Sequence, residues 1–234
     1  MIGIIPAGGK AERMGGIPKM LLPIPTASGG AALMDVLMDR MEAAGPSEIV
    51  IGANHERSRL AGRYGKRARF PLWQTETMSE MVMRAPNPKK DKPSALFGMP
   101  DTFFEDEQAF PKLLRALDKG YDVAVGVFVA RPGQHREGGM CKVRYSYITE
   151  VIDKPDTPVS RYIWGVLAWQ PTFWEHMDAA DPHVGYAIPR AIAAGLKVRA
   201  VLMQGGFWDC GTPERYFALI RHLTNETKSE SIPV

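Results

Sequence analysis

Residues 6–19, PAGGKAERMGGIPK, place four glycines and several basic side chains directly after a short apolar run. Glycines leave backbone N–H groups open to close approach, and such groups bind phosphates well. The cations Lys10, Arg13 and Lys19 add enough positive charge to hold a triphosphate. We therefore expect a phosphate-binding loop here, although the tight packing of a turn would also use glycines.

Two common phosphate-binding motifs do not fit this segment. A P-loop needs Ser or Thr after its Gly-Lys pair, but Ala11 follows Lys10, and Ile4 stands at the first glycine position. A dinucleotide-binding fingerprint needs other glycine spacings and an acidic residue after the second strand, where this chain has Ala53 and Asn54. The loop therefore follows neither motif.

The elements that must position this loop follow from the pattern of apolar residues. Helices are predicted at residues 31–44, near 55–63, at 107–117 and from Pro213 onward. Strands are predicted at residues 2–6, 47–53, 70–74, 94–99, 122–129, 140–145, 148–153, 163–169 and 198–203. An alternating first half and a strand-rich second half indicate an α/β fold, with a mostly parallel three-layer sheet and an inserted mixed-sheet lobe.

Length, net charge and cysteine content exclude several classes of protein. A chain of 234 residues with 45% hydrophobic residues can bury one sizeable core, and its net charge of +3 is too small for a nucleic-acid-binding arm. We expect no leader peptide, because the first residues lack a basic segment followed by an apolar one, and no apolar run approaches the roughly 20 residues that span a bilayer. Cys141 and Cys210 make neither a disulfide framework nor a four-ligand zinc site. We expect a cytoplasmic protein with no nucleic-acid or membrane partner.

The glycine segment, AGGKAERM followed by Pro18 and Lys19, resembles the signature of the sugar-1-phosphate nucleotidyltransferases, which usually have glycine in place of Ala11. Further segments resemble the family's motifs in the same order along the chain. They are Trp73 with Gln74, GMPD ending at Asp101, IDKP at 152–155, WGVLAW at 164–169, and WDCGTPERY at 208–216. The last is the most specific, and Asp153 in IDKP replaces the family's usual glutamate.

This resemblance implies a Rossmann-like, GT-A-like nucleotidyltransferase domain over residues 1–223. Its nucleotide-binding half would span about residues 1–130 and its sugar-phosphate-binding half about 131–223, with a polar tail at 224–234. The implied reaction is the Mg²⁺-dependent condensation of a nucleoside triphosphate with a sugar-1-phosphate, which gives an NDP-sugar and pyrophosphate. No hexapeptide repeat follows the domain, so a single activity is expected.

The resemblance also implies a role for each matching residue. Arg13 and Lys19 would be catalytic, and Asp101 and Asp209 would bind Mg²⁺. The nucleotide would bind at Ala7, Gly8, Gly9, Lys10 and Gln74. The sugar phosphate would bind at Asp153, Lys154 and Gly165. Because an amide both donates and accepts, Gln74 can pair with uracil or thymine, which favours UTP or dTTP.

Two alternatives stay open at this point. Molybdenum-cofactor guanylyltransferases share the AGGxxxRMGG loop and a strand-end aspartate, but they lack the DKP and WDxGTPE segments found here. A nucleotide-sensing homologue without turnover would usually have lost the signature arginine, the lysine or a metal aspartate, and this chain keeps Arg13, Lys19, Asp101 and Asp209. A homo-oligomer is compatible with the sequence.

Overall fold

A mixed β-sheet forms the centre of the computed structural model, which describes residues 1–9, 14–26, 29–87 and 89–230, without the side chains of 226–230. The strands are β1 Ile2–Pro6, β2 Pro23–Thr26, β3 Gly29–Ala32, β4 Glu48–Gly52, β5 Ala95–Gly98, β6 Thr102–Phe104, β7 Val123–Val129, β8 Gly139–Arg144, β9 Tyr147–Asp153, β10 Tyr162–Trp169, β11 Val198–Leu202 and β12 Phe207–Asp209. The α-helices are α1 Leu33–Ala43, α2 Arg57–Tyr64, α3 Met78–Arg84, α4 Ala109–Asp118, α5 Ala187–Ala193 and α6 Pro213–Glu230. Within these residues no helix is both long and apolar enough to pass through a bilayer.

The described residues form a main sheet of eight strands in the order β4-β1-β5-β10-β7-β11-β9-β8. Strand β1 is parallel to β4 and β5, and β11 is parallel to β7, whereas β10 runs antiparallel between β5 and β7. Strand β8 also pairs with β10, at Met140 and Ile163. The hairpin of β8 and β9 therefore bends back and closes a ring of strands with β10, β7 and β11. The strands of the second half thus continue the same sheet as those of the first.

Helices cover both faces of this sheet, as the three-layer prediction requires. Side chains alternate between the faces along each strand. On one face Ile5 and Leu96 pack in a cluster with Leu37 of α1 and Leu113 of α4. On the other face Ile4 and Phe97 pack with Val82 of α3 and Ile188 of α5. Each fully buried side chain of this size stabilises the fold by about 1.5–3 kcal/mol. The apolar clusters on both faces of the sheet therefore contribute to the stability of the fold.

The predicted strand at residues 70–74 is wrong. Only Arg69, just before it, forms a β-bridge, with Val50. The following residues are irregular, and Leu72 is 85% exposed. Pro71 explains the error, because proline has no N–H to donate to a neighbouring strand. A second difference is at the end of the chain, where α6 continues to Glu230 through residues that the sequence assigned to the tail.

Candidate active site

Three adjoining cavities form a row at the edge of the sheet where β1 and β5 end. The glycine cavity, of about 180 Å³, is lined by Pro6, Gly8, Gly9, Asn54, Met81 and residues 75–78. The Lys19 cavity, of about 120 Å³, is lined by Pro6, Ala7, Gly9, Lys19, Met20, Met78, Pro100 and Asp101. The Trp164 cavity, of about 180 Å³, is lined by Met78, Met99, Asp101, Thr102, Glu137, Gly138, Gly139, Asp153, Lys154, Trp164, His183, Phe207 and Asp209. Met78 borders all three cavities and Asp101 borders the last two, so the cavities are neighbours.

The glycine cavity is built from the end of β1 and the segment before α3. The N–H of Ala7 donates to the carbonyl of Gly52 at 2.6 Å, which fixes the start of the loop on β4. A Cβ at Gly8 would meet the terminal methyl group of Met81 and lie 3.1 Å from Nδ2 of Asn54, so a larger residue fits only if these side chains shift. That Nδ2 donates to the carbonyl of Thr75 at 2.9 Å, which ties the two walls together. Sequence reasoning gave Asn54 no role, because no motif marks it.

Gln74 is not in the glycine cavity. Its side chain is exposed, and it lines a neighbouring, wider cavity of about 540 Å³ with Ala179, Ala180, Glu80 and residues 75–77, the last three of which also line the glycine cavity. The irregular path after Pro71 carries Gln74 to this neighbouring position. The structure therefore places Asn54 and Thr75 at the glycine cavity, and it places Gln74, the predicted base-reading residue, at the neighbouring cavity.

Lys19 reaches the centre of the row from a short 3₁₀ helix, Lys19–Leu21. Its side chain is only 14% exposed, and Nζ lies 3.6 Å from Oδ2 of Asp101. Burial raises the pKa of Asp101, and the carboxylate of Asp209 raises this pKa further, while the ammonium of Lys19 opposes both effects. The predicted residues Lys10 and Arg13 of the same loop lie outside the described residues.

A small antiparallel sheet brings Asp101 and Asp209 together. Strand β12 pairs with β6 so that Asp209 is opposite Thr102. The N–H of Cys210 donates to the carbonyl of Asp101 at 2.9 Å. Both carboxylates consequently line the Trp164 cavity although their positions in the chain are far apart.

The donor set of this region fits Mg²⁺. Among the described residues no three His, Cys, Asp or Glu side chains are grouped so that they could hold a metal ion by themselves. Mg²⁺, however, is usually bound by one or two carboxylates together with phosphate oxygens and water. A cation between Asp101 and Asp209 would also relieve the repulsion that raises the pKa of Asp101. Asp101 and Asp209 are thus suitable ligands for the ion when phosphates are present.

Arg215 and Glu137 extend the charged network around Asp209. Nη1 of Arg215 lies 3.0 Å from Oδ2 of Asp209, and its Nε lies 3.2 Å from Oε1 of Glu137. Burial raises the pKa of Glu137, as does the charge of Asp209, whereas Arg215 lowers it. Sequence reasoning missed both residues. Arg215 lies in the WDCGTPERY motif, which offered a signal, but nothing near Glu137 did.

Asp153 and Lys154 both line the Trp164 cavity although they are consecutive. Successive side chains of a strand point to opposite faces. Lys154 does not follow this alternation, because its φ is +42°, a left-handed conformation that is uncommon for residues other than glycine. Its N–H donates to the carbonyl of Gly138 at 3.3 Å. The turn at the end of β9 thus aims an ammonium and a carboxylate into one space.

His183 is the partner of Asp153. Nε2 of His183 lies 3.4 Å from Oδ1 of Asp153. This hydrogen bond lowers the pKa of Asp153; burial opposes it, and the charges of His183 and Lys154 add to it. Asp153 is therefore ionised and oriented at neutral pH. No motif marks His183, which follows an irregular segment before α5.

Gly165, in contrast, is not among the residues that line the Trp164 cavity. A Cβ at this position would lie 2.5 Å from Phe207 and 3.0 Å from Phe128. Glycine is needed there for the packing of these rings in the core. The glycines that border the cavity are Gly138 and Gly139, at the start of β8.

The sequence matches the family model of the MobA-like NTP transferase domain over residues 3–198. No protein of curated function matches it significantly. A structure designated a glucose-1-phosphate thymidylyltransferase from Bacillus anthracis, in complex with sucrose, superposes with a TM-score of 0.80 at 15% identity and covers 100% of this chain and 97% of that chain.

Two structures of UDP-glucose pyrophosphorylase are also similar. The complex with UDP-glucose has a TM-score of 0.75 at 15% identity and covers 96% of this chain and 98% of its own. The apo form has a TM-score of 0.74 at 16% identity, and the match covers 97% of this chain and 98% of that structure's chain. Identities this low show a shared fold, and the coverage shows that the fold extends over nearly the whole chain. The α/β class predicted from the sequence is confirmed.

Proposed function

We propose that this chain, which belongs to the family of proteins with a MobA-like NTP transferase domain, condenses a nucleoside triphosphate with a sugar-1-phosphate. The products would be an NDP-sugar and pyrophosphate. The row of three cavities carries the proposal. Backbone glycines line one end, Lys19 and Asp101 line the middle, and Asp153 with Lys154 line the far end. This order would suit the nucleotide with its triphosphate at the glycine end, the reacting phosphates in the middle and the acceptor sugar at the far end.

The chemistry explains why cations line the middle of the row. An oxygen of the acceptor phosphate attacks the α-phosphorus, and the bond from this phosphorus to the bridging oxygen of the β-phosphate breaks. Two like charges 4 Å apart repel each other by about 4 kcal/mol at an effective dielectric constant near 20. Lys19 and Lys154 reduce this repulsion and hold the phosphates in line. Mg²⁺ between Asp101, Asp209 and the phosphates would supply further positive charge.

The glycine loop would hold the triphosphate. We assign the departing pyrophosphate to the guanidinium of Arg13, whose paired donors suit phosphate oxygens, and the reacting phosphates to Lys19. Lys10 and the backbone of residues 7–9 would complete the binding of the triphosphate. A similar use of backbone N–H groups and cations is common at phosphate sites.

For the base we propose uracil or thymine, hence UTP or dTTP. The glutamine amide of Gln74 can pair with the N3–H and carbonyl edge of either base. The similar structures are designated a thymidylyltransferase and a UDP-glucose pyrophosphorylase, which agrees with this choice. Because Asn54 borders the glycine cavity, it is a second candidate for contact with the nucleotide.

The acceptor is assigned to the far end of the row, in the half of the chain from about residue 131 to 223. Lys154 would hold the acceptor phosphate and Asp153 would accept hydrogen bonds from sugar hydroxyls. The β8–β9 hairpin and β10 then form the sugar-binding part of the fold. Cys141 and Cys210 are buried, unpaired thiols, which suits a reducing compartment, and we propose a cytoplasmic location.

A matrix of nucleoside triphosphates against sugar-1-phosphates, read by pyrophosphate release with and without Mg²⁺, tests the proposal. We expect release with UTP or dTTP and a sugar-1-phosphate, and little with Asp209→Asn. Release only from GTP with molybdopterin would instead support the guanylyltransferase alternative. No release from any pair, with triphosphate binding intact, would support a nucleotide sensor.

A further inference from the structure

Arg215, in the first turn of α6, joins two carboxylates of the candidate active site. Its Nη1 donates to Oδ2 of Asp209 at 3.0 Å, and its Nε forms an ion pair with Oε1 of Glu137 at 3.2 Å. A guanidinium is planar and rigid, so one arginine can hold two carboxylates in a fixed arrangement. Arg215 therefore sets the position of Asp209 relative to Glu137.

The arginine approaches both carboxylates from outside the Trp164 cavity. Asp209 and Glu137 line this cavity, whereas Arg215 is not among the residues that line it. Arg215 lines a second cavity, of about 500 Å³, and among the described residues these two cavities share only Glu137. The guanidinium is thus placed to hold Asp209 without contact to a substrate in the Trp164 cavity.

Both oxygens of Asp209 have a partner within the protein. Oδ1 accepts the N–H of Gly211 at 2.7 Å, and Oδ2 accepts from Arg215. These two hydrogen bonds restrain the rotation of the carboxylate. An ionised carboxylate has about four acceptor positions, so each oxygen keeps one for a further partner. Asp209 is therefore oriented before a metal ion binds and can still accept one.

The packing of α6 determines where the guanidinium lies. Leu219 is 0% exposed and packs in one cluster with Trp208 of β12. One turn further along the helix, Nε2 of His222 lies 2.6 Å from Oε1 of Glu105, which directly follows β6. The helix is thus attached to both strands of the small sheet that carries Asp209. Arg215 and Asp209 consequently keep a fixed distance.

The positive charge of Arg215 has a second effect. Asp101, Glu137 and Asp209 all line the Trp164 cavity, and their negative charges attract a divalent cation. A guanidinium 3.0 Å from Asp209 repels that cation. The arginine therefore weakens the binding of a metal ion to the protein alone. The negative charge of a bound triphosphate would offset this repulsion.

We propose that Arg215 is a positioning residue that acts through Asp209. It holds this carboxylate in the orientation that binds Mg²⁺ together with a triphosphate, and its charge disfavours the ion when no triphosphate is bound. Glu137 keeps the guanidinium in place while Asp209 binds the ion. This inference rests on the proposed function, because it concerns the metal-binding carboxylate of the same site.

Mn²⁺, a paramagnetic substitute for Mg²⁺, tests the effect of the charge without turnover. Its binding to the protein without substrates is measured by electron paramagnetic resonance. Arg215→Met should bind Mn²⁺ at least threefold more tightly than wild type, whereas Arg215→Lys, which keeps the charge, should stay within twofold. Arg221→Met, at an exposed position of the same helix, is the matched control and should equal wild type. Equal or weaker binding by Arg215→Met overturns the proposal.

Turnover tests the effect on position. Arg215→Met and Arg215→Lys should each lower kcat at least tenfold and change both KM values less than threefold, because an ammonium cannot bridge two carboxylates as a guanidinium does. Arg221→Met should keep the wild-type rate. A wild-type kcat in Arg215→Lys overturns the positioning role. Thermal unfolding is measured in parallel, and if Arg215→Met does not fold, the affinity and kcat of Arg215→Lys decide the matter.

The two measurements separate this inference from the proposed function. If wild-type protein turns over a sugar-1-phosphate and the Arg215 variants do so equally well, only this inference fails. If no sugar-1-phosphate supports turnover, the proposed function fails. The Mn²⁺ titration then decides the role of Arg215 by itself, since tighter binding by Arg215→Met supports it and unchanged binding overturns it.

Discussion

The ammonium of Lys19 lies 3.6 Å from Oδ2 of Asp101. The two residues follow neighbouring parallel strands, β1 and β5, and meet because parallel strands end at the same edge of the sheet. Asp101 also borders the Trp164 cavity, so the pair lies between the glycine end and the acceptor end of the row. We propose that the transferred phosphate is bound at this point, where a cation and a carboxylate suited to Mg²⁺ both lie within reach.

We expect Asp101→Asn and Asp209→Asn each to lower turnover at least a hundredfold, because each would remove a proposed ligand of Mg²⁺. Pyrophosphate release is measured across a Mg²⁺ titration. Asp39→Asn is the matched control, since Asp39 is exposed and pairs only with Arg67 among the described residues. Near-normal turnover of either variant at limiting Mg²⁺ would show that the metal site is elsewhere.

Arg13→Ala and Lys19→Ala should also reduce turnover a hundredfold or more, since both cations would stabilise charge on the transferring phosphates. Lys119→Ala, at an exposed position, should leave the rate unchanged. Thermal unfolding of each variant is measured in parallel. A variant whose melting temperature falls while its rate per folded molecule stays constant would have only a structural role.

The base-reading role is tested by comparing Gln74→Ala with Asn54→Ala. Asn54 borders the glycine cavity and holds Thr75, so its loss should raise the triphosphate KM by more than the loss of Gln74 does. If Gln74 reads the base, Gln74→Ala should also reduce the preference for UTP or dTTP over the purine nucleotides. Unchanged efficiency of Gln74→Ala with every triphosphate would contradict the role inferred from the sequence.

Lys154→Ala should raise the acceptor KM at least tenfold and leave the triphosphate KM nearly unchanged, because the ammonium would contact only the acceptor phosphate. Lys142→Ala on β8 is the control, as this exposed lysine pairs with Glu150 away from the cavity. Initial rates are measured with each substrate varied in turn. If both KM values rise together, or neither does, the acceptor phosphate is bound elsewhere.

The raised pKa of Asp101 predicts that this residue destabilises the metal-free fold. A carboxyl whose pKa is higher in the folded state than its unfolded value of about 3.9 costs stability as pH rises above that value. Asp101→Asn cannot ionise. In EDTA, its unfolding free energy relative to wild type should be unchanged near pH 3 and should increase toward pH 7, as measured by urea denaturation. A difference that does not vary with pH would contradict the assignment.

Asp153 should behave in the opposite way. The hydrogen bond from His183 lowers its pKa, so the stabilisation is present above about pH 4 and is lost as pH falls through the folded-state pKa. We expect Asp153→Asn to be about 1 kcal/mol less stable than wild type at pH 7, with a smaller difference at pH 3. Urea denaturation at pH 3 and pH 7 measures this difference in unfolding free energy. An equal loss of stability at both pH values would exclude the pair of Asp153 with His183 as the cause.

Local motifs identified several of the residues that bear charge at the site, although not Glu137 or Arg215. Lys19, Asp101, Asp153, Lys154 and Asp209 were all selected from short segments, and all of them line the row of cavities. Such segments can be read without the fold, because a glycine turn or the end of a strand determines the local path of the backbone. The α/β class followed for the same reason, from alternating short apolar runs and helical periodicity.

Only the tertiary structure decided which residues complete the site. Trp164 meets Gly139 because β10 pairs with β8 at Ile163 and Met140, a contact between distant parts of the chain. Gly165, on the same strand, packs against Phe207 instead of lining the cavity. The strand predicted at residues 70–74 did not form, and Gln74 lines the neighbouring cavity instead of the glycine cavity. Periodicity and motifs report local backbone preference, whereas the direction of a side chain into a shared cavity depends on how distant strands pair.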